Sequence, residues 1–173
     1  MTKTAGAPDM FYRTLDTPVG TLLLVATVVG VVRVAYANEH HDLVLDRLTE
    51  LTGAGLSHAP ARLGQAAEEL SQYFDRRRRH FDFPLDLSLA RGFRRNILGL
   101  LREIPYGTTA SYSSVAIRAG NPGASRAVGS ACAANPLPIA IPCHRVVRSD
   151  GTLGEYAGGG DVKKILLDLE TTP

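Results

Sequence analysis

Pro142-Cys143-His144-Arg145-Val146 sets one sulfur nucleophile beside one imidazole. A thiol near neutral pH is mostly protonated, so it needs a depressed pKa or a neighbouring base before it can attack anything useful. Side chains adjacent in sequence usually diverge, so contact between His144 and the sulfur is not assumed; the imidazole can still act through a water or by placing a positive charge nearby. The approach, Asn135-Pro136-Leu137-Pro138-Ile139-Ala140-Ile141, is stiffened by prolines that fix φ. Alone, a Cys-His pair is more often structural than catalytic, and the surrounding residues have to decide.

The elements that would present this pair read as helical. Phe93 to Leu101 has a helical pattern that stops at Ile104-Pro105-Tyr106-Gly107. Ser111 caps a second helix through Ala119, closed by Gly120-Asn121-Pro122-Gly123, and a third runs from about Ala124 to Ala134. Two short helices joined by such a turn outline a helix-turn-helix. The third helix is nearly all small side chains plus one long cation, Arg126. Small residues let a large partner approach or a neighbouring helix pack closely. Arg126 would suit a phosphate clamp or a side chain thrust into a nucleic-acid groove.

The first half reads as sheet plus helices. Phe11 to Leu15, a turn over Asp16 to Gly20, and Thr21 to Thr27 suggest a hairpin, with Gly30 to Tyr36 as a third strand. Helical spacing follows twice, with Leu43, Leu45, Leu48 and Leu51 in Asp42 to Leu51, then Leu63, Ala66, Ala67, Leu70 and Phe74 in Arg62 to Phe74. Phe81 to Leu87 alternates and reads as an edge strand or extended linker.

A chain of 173 residues can hold one good core or two small ones, and 45% hydrophobic with 21% charged residues is ordinary for a globular protein. Cys132 and Cys143 make no disulfide framework and fit a reducing compartment, with Cys132 read as a buried filler. Met1 to Met10 lacks the pattern of a secretory leader, and Val19 to Val32 is too interrupted to span a membrane. A cytoplasmic protein without a membrane partner is expected. Net charge is +2, from 9 basic and 11 acidic residues in 1–89 and 10 basic and 6 acidic in 90–173. The second half leans towards an anionic partner, though so small a bias also fits surface noise. Arg76-Arg77-Arg78-Arg79 reads as a solvated helix end before it reads as a nucleic-acid patch. His40, His41 and His58 are expected in loops or at the surface. No zinc spacing, phosphate loop or dinucleotide fingerprint is present, so neither metal nor organic cofactor is expected.

Ile104-Pro105-Tyr106-Gly107, Ser111-Tyr112, Gly120-Asn121-Pro122, Arg126-Ala127-Val128-Gly129, Asn135-Pro136, Ile141 to Val147, Ser149-Asp150-Gly151, Leu153-Gly154, Tyr156 to Gly159, Lys163 and Leu166 to Glu170 follow one another in a specific order. In that order and spacing the chain resembles the methylated-DNA–protein-cysteine methyltransferases (O6-alkylguanine-DNA alkyltransferases). The resemblance implies an α/β (α+β) fold. A small ribonuclease H-like N-terminal sheet domain with helices would occupy 1–88. A mostly helical winged helix-turn-helix domain carrying the active-site cysteine would occupy 89–173.

It also implies a mechanism. O6-alkylguanine in double-stranded DNA, with O4-alkylthymine as a further candidate, would be flipped into a pocket bounded by Tyr156, Ala157, Val146 and Gly158. Cys143 would keep the alkyl group as a thioether, so each molecule acts once. His144 would take the thiol proton through a water, oriented by Glu170, while Tyr112 protonates the leaving guanine. Asn135 would hold the chain around the cysteine and hydrogen-bond a tyrosine hydroxyl. Arg126 would fill the space left by the base from the minor groove, and Tyr112, Ser113, Asn121 and Ser149 would touch the strand. A monomer is expected, with cooperative binding along DNA left open. The chain departs from the family pattern at Arg94, Leu98, Glu155 and Ala157, which bears on helix packing and on the pocket rim. Three other readings stay open: a non-catalytic binder of alkylated DNA, a cysteine hydrolase using Cys143, His144 and Glu170, and a helix-turn-helix regulator.

Overall fold

Gly20, at φ +97°, closes the tight turn between β1 (Met10–Thr17) and β2 (Gly20–Ala26), and the two strands pair antiparallel from Phe11 opposite Ala26 to Thr17 opposite Gly20. The computed structural model describes residues 9–173; of Met1 to Met10, read as lacking a secretory leader, residues 1–8 lie outside them. β3 (Val31–Ala35) pairs antiparallel with β2, and β4 (Leu56–His58) pairs parallel with β1, giving the order β3-β2-β1-β4. Leu22, Leu23, Leu24 and Val25 are all essentially inaccessible, which explains why β2 reads as a continuous apolar run and not as an alternation. β4 was not anticipated: three residues are too few to show a pattern, and the parallel pairing is reached only across helix α1 (His41–Thr52).

Helix α1 forms where its leucines suggest, but Leu48 alone of the four is buried; Leu43 and Leu51 are 62% and 59% exposed. Helix α2 (Gly64–Phe74) buries Ala66, Ala67, Leu70, Tyr73 and Phe74. The arginine run follows it and is laced by local pairs, Arg77 to Asp75 and Arg78 to Glu69 and Asp82. The extended segment after it pairs along β3, with Val31 N–H donating to Pro84 O (2.9 Å) and Asp86 N–H to Val31 O (2.8 Å). Gly30 is required there, because a Cβ would sit 2.5 Å from Pro84 O.

This first unit ends at Asp86, and Leu87–Pro173 form the second. The second holds α3 (Gly92–Leu101), α4 (Tyr112–Arg118), α5 (Ser125–Ala133) and α6 (Gly160–Thr171), plus a short parallel pair, β5 (Ala110–Ser111) with β6 (Val146–Val147). Ser111 caps α4 as read, its Oγ accepting Ser114 N–H at 3.0 Å. Ile97, Leu98 and Leu101 of α3 and Val128 and Ala131 of α5 are buried where these helices pack, and Leu98 is fully enclosed. Sequence periodicity does not reveal β5 and β6, because each is two residues long and pairs only through the fold. Among the described residues no helix is long and apolar enough to cross a membrane.

Candidate active site

Asn135, just past the end of α5, ties the proline loop into a closed shape. Its Nδ2 donates to Ile141 O and its Oδ1 accepts from Leu137 N–H, both at 2.9 Å and both buried. The amide is spent on the loop and on the thiol, and the tyrosine hydroxyl expected as its partner is not among those contacts. The loop delivers the chain into a single 3₁₀ turn, Cys143–Arg145, in which all three residues are buried. Consecutive side chains on so tight a turn point in different directions. Cys143 faces a cavity, while His144 and Arg145 reach Glu170 on α6.

Glu170 is the centre of a buried charged cluster. His144 Nε2 lies 2.8 Å from its Oε1, and Arg145 binds the same carboxylate in a fork, Nη2 to Oε1 at 2.8 Å and Nε to Oε2 at 2.9 Å. Arg145 Nη1 also donates to Ile104 O at 2.7 Å. Burial would raise the Glu170 pKa, but the hydrogen bonds from His144 and Arg145 outweigh it and hold the carboxyl at about 2. Burial pushes the His144 pKa down, against the pull of Glu170. The consistent state is therefore an ionised Glu170 and a neutral His144. An ionised carboxylate only accepts, so Nε2 carries the imidazole proton and Nδ1 holds the lone pair. His144 Nδ1 is buried and, among the described residues, has no hydrogen-bond partner.

Cys143 is 3% exposed, and burial raises the pKa of its thiol. Hydrogen bonds from Asn135 and Tyr156 and the charge of Lys163 act in the opposite direction. Lys163 is fully buried; its ammonium donates to Val146 O at 2.7 Å and to Leu153 O, and stands 5.8 Å from the Tyr112 ring centre. Such a thiol does not ionise by itself at neutral pH and needs a base.

The cavity in front of the thiol measures about 660 Å³ and is lined by Tyr112, Arg126, Cys143, Arg148, Tyr156 and Ala157, among others. Burial above all pushes the Tyr112 phenol up to about 12, so it stands as a proton donor at neutral pH. Its hydroxyl rests against Gly154, where a Cβ would come within 3.0 Å.

Most of the anticipated residues therefore meet around one cavity: Cys143, Tyr112, Arg126, Tyr156 and Ala157 on its wall, with His144, Glu170 and Asn135 behind the thiol. Ser113 and Ser149 come together from distant positions, Oγ to Oγ 3.1 Å. Asn121 sits exposed in the α4–α5 turn, away from that wall. Val146 and Gly158, expected to bound the pocket, are not on its wall: Val146 is fully buried in β6, its carbonyl held by Lys163. Cys132 is half-buried and lines the cavity, so it is not a simple core filler, though burial lifts its thiol to about 12.

Two residues of the site carried no assigned role from sequence. Arg145 and Lys163 are buried cations, and the signal for Lys163 was available: it lies in register with Leu166, Leu169 and Glu170 on the buried face of α6. Among the described residues no group of three His, Cys, Asp or Glu side chains is placed to hold a metal ion.

Comparison with known proteins adds a family. Residues 92–172 match the family model for the DNA binding domain of 6-O-methylguanine DNA methyltransferase, and residues 10–87 that for its ribonuclease-like domain. A methylated-DNA–protein-cysteine methyltransferase of Mycolicibacterium paratuberculosis is 38% identical over 159 residues, covering 92% of this chain and 91% of the relative. The crystal structure of the Mycobacterium tuberculosis O6-methylguanine methyltransferase superposes with a TM-score of 0.82 at 33% identity, covering 95% of each chain. OGT of the same organism in complex with DNA superposes at 0.80 with 34% identity over 92% of each chain.

Proposed function

The chain belongs to the methylated-DNA–protein-cysteine methyltransferase family, and from that membership we propose that it repairs DNA by moving an alkyl group from O6 of guanine to Cys143, once per molecule. The observation that carries the reading is the pairing of a cavity-facing thiol with a neutral His144 whose lone-pair nitrogen is unspent and whose other nitrogen is fixed by an ionised Glu170. DNA is the partner, in keeping with the DNA-bound relative. A guanine inside a duplex cannot present O6 to a buried thiol, so the base is turned out of the stack into the cavity.

In the reaction His144 Nδ1 takes the thiol proton through a bridging water, and the new imidazolium is stabilised by Glu170, as in other nucleophile–base–carboxylate relays. The Cys143 sulfur attacks the alkyl carbon, the carbon–O6 bond breaks, and its electron pair stays on guanine. Tyr112 gives the departing base its proton, a role that suits a phenol kept protonated at the cavity wall. Tyr156 and the Lys163 charge favour the thiolate while it forms. The product is a thioether, which water does not cleave, and this limits each molecule to one turnover. Arg126, exposed at the rim beside the small residues Gly129 and Ser130, fills the gap left in the duplex from the minor groove. Ser113, Ser149 and Asn121 hold the strand by its phosphates.

Mass spectrometry after mixing the protein with excess duplex containing O6-methylguanine tests this directly. The expected result is a gain of one methylene's mass on the Cys143 peptide, saturating at one per molecule. Tight lesion binding with Cys143 unmodified would instead mark a recognition protein without transfer chemistry.

A further inference from the structure

The excess positive charge of the second unit is concentrated, and only part of it lies at the cavity. Four of its ten basic side chains are satisfied internally: Arg118 by Glu103, Lys164 by Asp168, Arg145 by Glu170, and Lys163 by backbone carbonyls. Arg126 and Arg148 line the cavity. The remaining four, Arg91, Arg94, Arg95 and Arg102, all lie on or beside α3, all are exposed, and among the described residues none of their side chains makes a hydrogen bond or ion pair.

Arg91 is the N-cap residue of α3, in extended backbone, and Arg94 and Arg95 stand in its first turn, so all three sit at the N-terminal end of the helix. No carboxylate lies in the first turn of α3 to offset them. Three like charges so close, at the end of a helix that disfavours cations, cost stability and earn nothing back inside the fold. A local rule broken without an internal compensation points outward, to a partner that supplies the missing negative charge. Phe93 is the single large apolar side chain in the patch and is 38% exposed, too little to anchor an apolar protein surface.

We infer that this arginine face of α3 is a second DNA contact, gripping the phosphate backbone of the duplex that flanks the lesion. This rests on the alkyl-transfer reading for its partner. The placement fits, because α3 packs on α5, whose other residues, Ser125, Arg126, Gly129 and Ser130, line the cavity that receives the base. The dimensions fit too. Four residues of helix rise about 6 Å, and phosphates of one strand follow at about 3.4 Å along the duplex axis, so the three guanidiniums match two or three successive phosphates. Planar guanidinium groups suit such oxygens better than ammonium groups do, but a contact made mainly by charge survives exchange to lysine. The face adds affinity without reading sequence, which a protein that must inspect any guanine requires.

The test is the salt dependence of binding to an undamaged duplex, measured by fluorescence anisotropy for the parent, for R91Q/R94Q/R95Q and for R91K/R94K/R95K. Each lost phosphate contact flattens the slope of log K against log salt by about 0.9. The glutamine variant is expected to show a slope shallower by about 2 to 3, and the lysine variant the parental slope. Between 50 and 200 mM salt the parent would then lose roughly 10- to 40-fold more affinity than the glutamine variant. A glutamine variant within about half a unit of the parental slope would overturn the inference. Reaction of Cys143 with a free O6-alkylguanine base, which has no phosphates, separates the two readings. Equal rates in parent and glutamine variant are expected; an inert parent would overturn alkyl transfer while the salt slopes still decide the role of α3.

Discussion

Replacing Glu170 by glutamine removes one charge from a cluster in which His144, Arg145 and the Gly107 backbone N–H all reach that carboxylate. The carboxyl lies at about 2 in the folded protein against 4.5 for a free glutamate, a difference worth about 3 kcal/mol at neutral pH. Breaking a buried ion pair from one side costs about 3 to 5 kcal/mol by an independent route, because it strands the partner charge, here Arg145. The two figures agree, and either is a large share of the roughly 5 to 15 kcal/mol that holds a typical domain folded. Because the folded pKa is depressed, the stabilisation is present above about pH 4.5 and disappears as pH falls towards 2. Urea denaturation of parent and E170Q should therefore differ by about 3 to 5 kcal/mol at pH 7, with the gap closing below pH 4.5. The chemistry should suffer as well. A glutamine that turns its NH2 towards His144 makes Nε2 an acceptor and leaves the proton on Nδ1, where it blocks uptake from the thiol. Alkyl transfer is then expected to slow by about 10²- to 10⁴-fold, the usual contribution of a positioned base. E170D keeps the charge and should recover part of both losses, which guards against a variant that merely fails to fold. A stability gap under about 1 kcal/mol, or one indifferent to pH between 7 and 3, would refute the reasoning.

Lys163→Met removes a buried ammonium whose charge favours the Cys143 thiolate and orphans the carbonyls of Val146 and Leu153. The pH profile of Cys143 alkylation should move to higher pH, and an unchanged profile would deny Lys163 any electrostatic part. Gly154→Ala combines φ +73° with a Cβ 3.0 Å from the Tyr112 hydroxyl. It should cost about 1 to 3 kcal/mol in thermal denaturation and slow transfer by displacing the phenol, with wild-type kinetics as the contrary result. Gly30→Ala, within the first unit, would drive a methyl into Pro84 O at 2.5 Å. It should destabilise that unit by more than about 1 kcal/mol while the rate of Cys143 with a free O6-alkylguanine base stays unchanged.

Much of this protein is written locally. The Gly20 turn, the serine cap at Ser111, the Gly120-Asn121-Pro122-Gly123 break and the helical spacing in α2 to α5 each depend on a few neighbouring residues, so sequence alone places them within a residue or two. The nucleophile, its histidine and the stiff approach are likewise contiguous, and the order of motifs through Glu170 points to the family without coordinates. What depends on distant partners is not legible that way. β4, β5 and β6 are too short to carry a pattern and exist because another segment pairs with them. The leucines of α1 promise a buried stripe, yet burial depends on what lies opposite, and only Leu48 finds it. The site divides along the same line. Residue types announce a thiol and a base, but the protonation state that makes His144 a base is set by Glu170, 26 residues away, and by Arg145 holding the same carboxylate. Proton positions follow from distances and burial, and those exist only once α6 has packed against the cysteine turn.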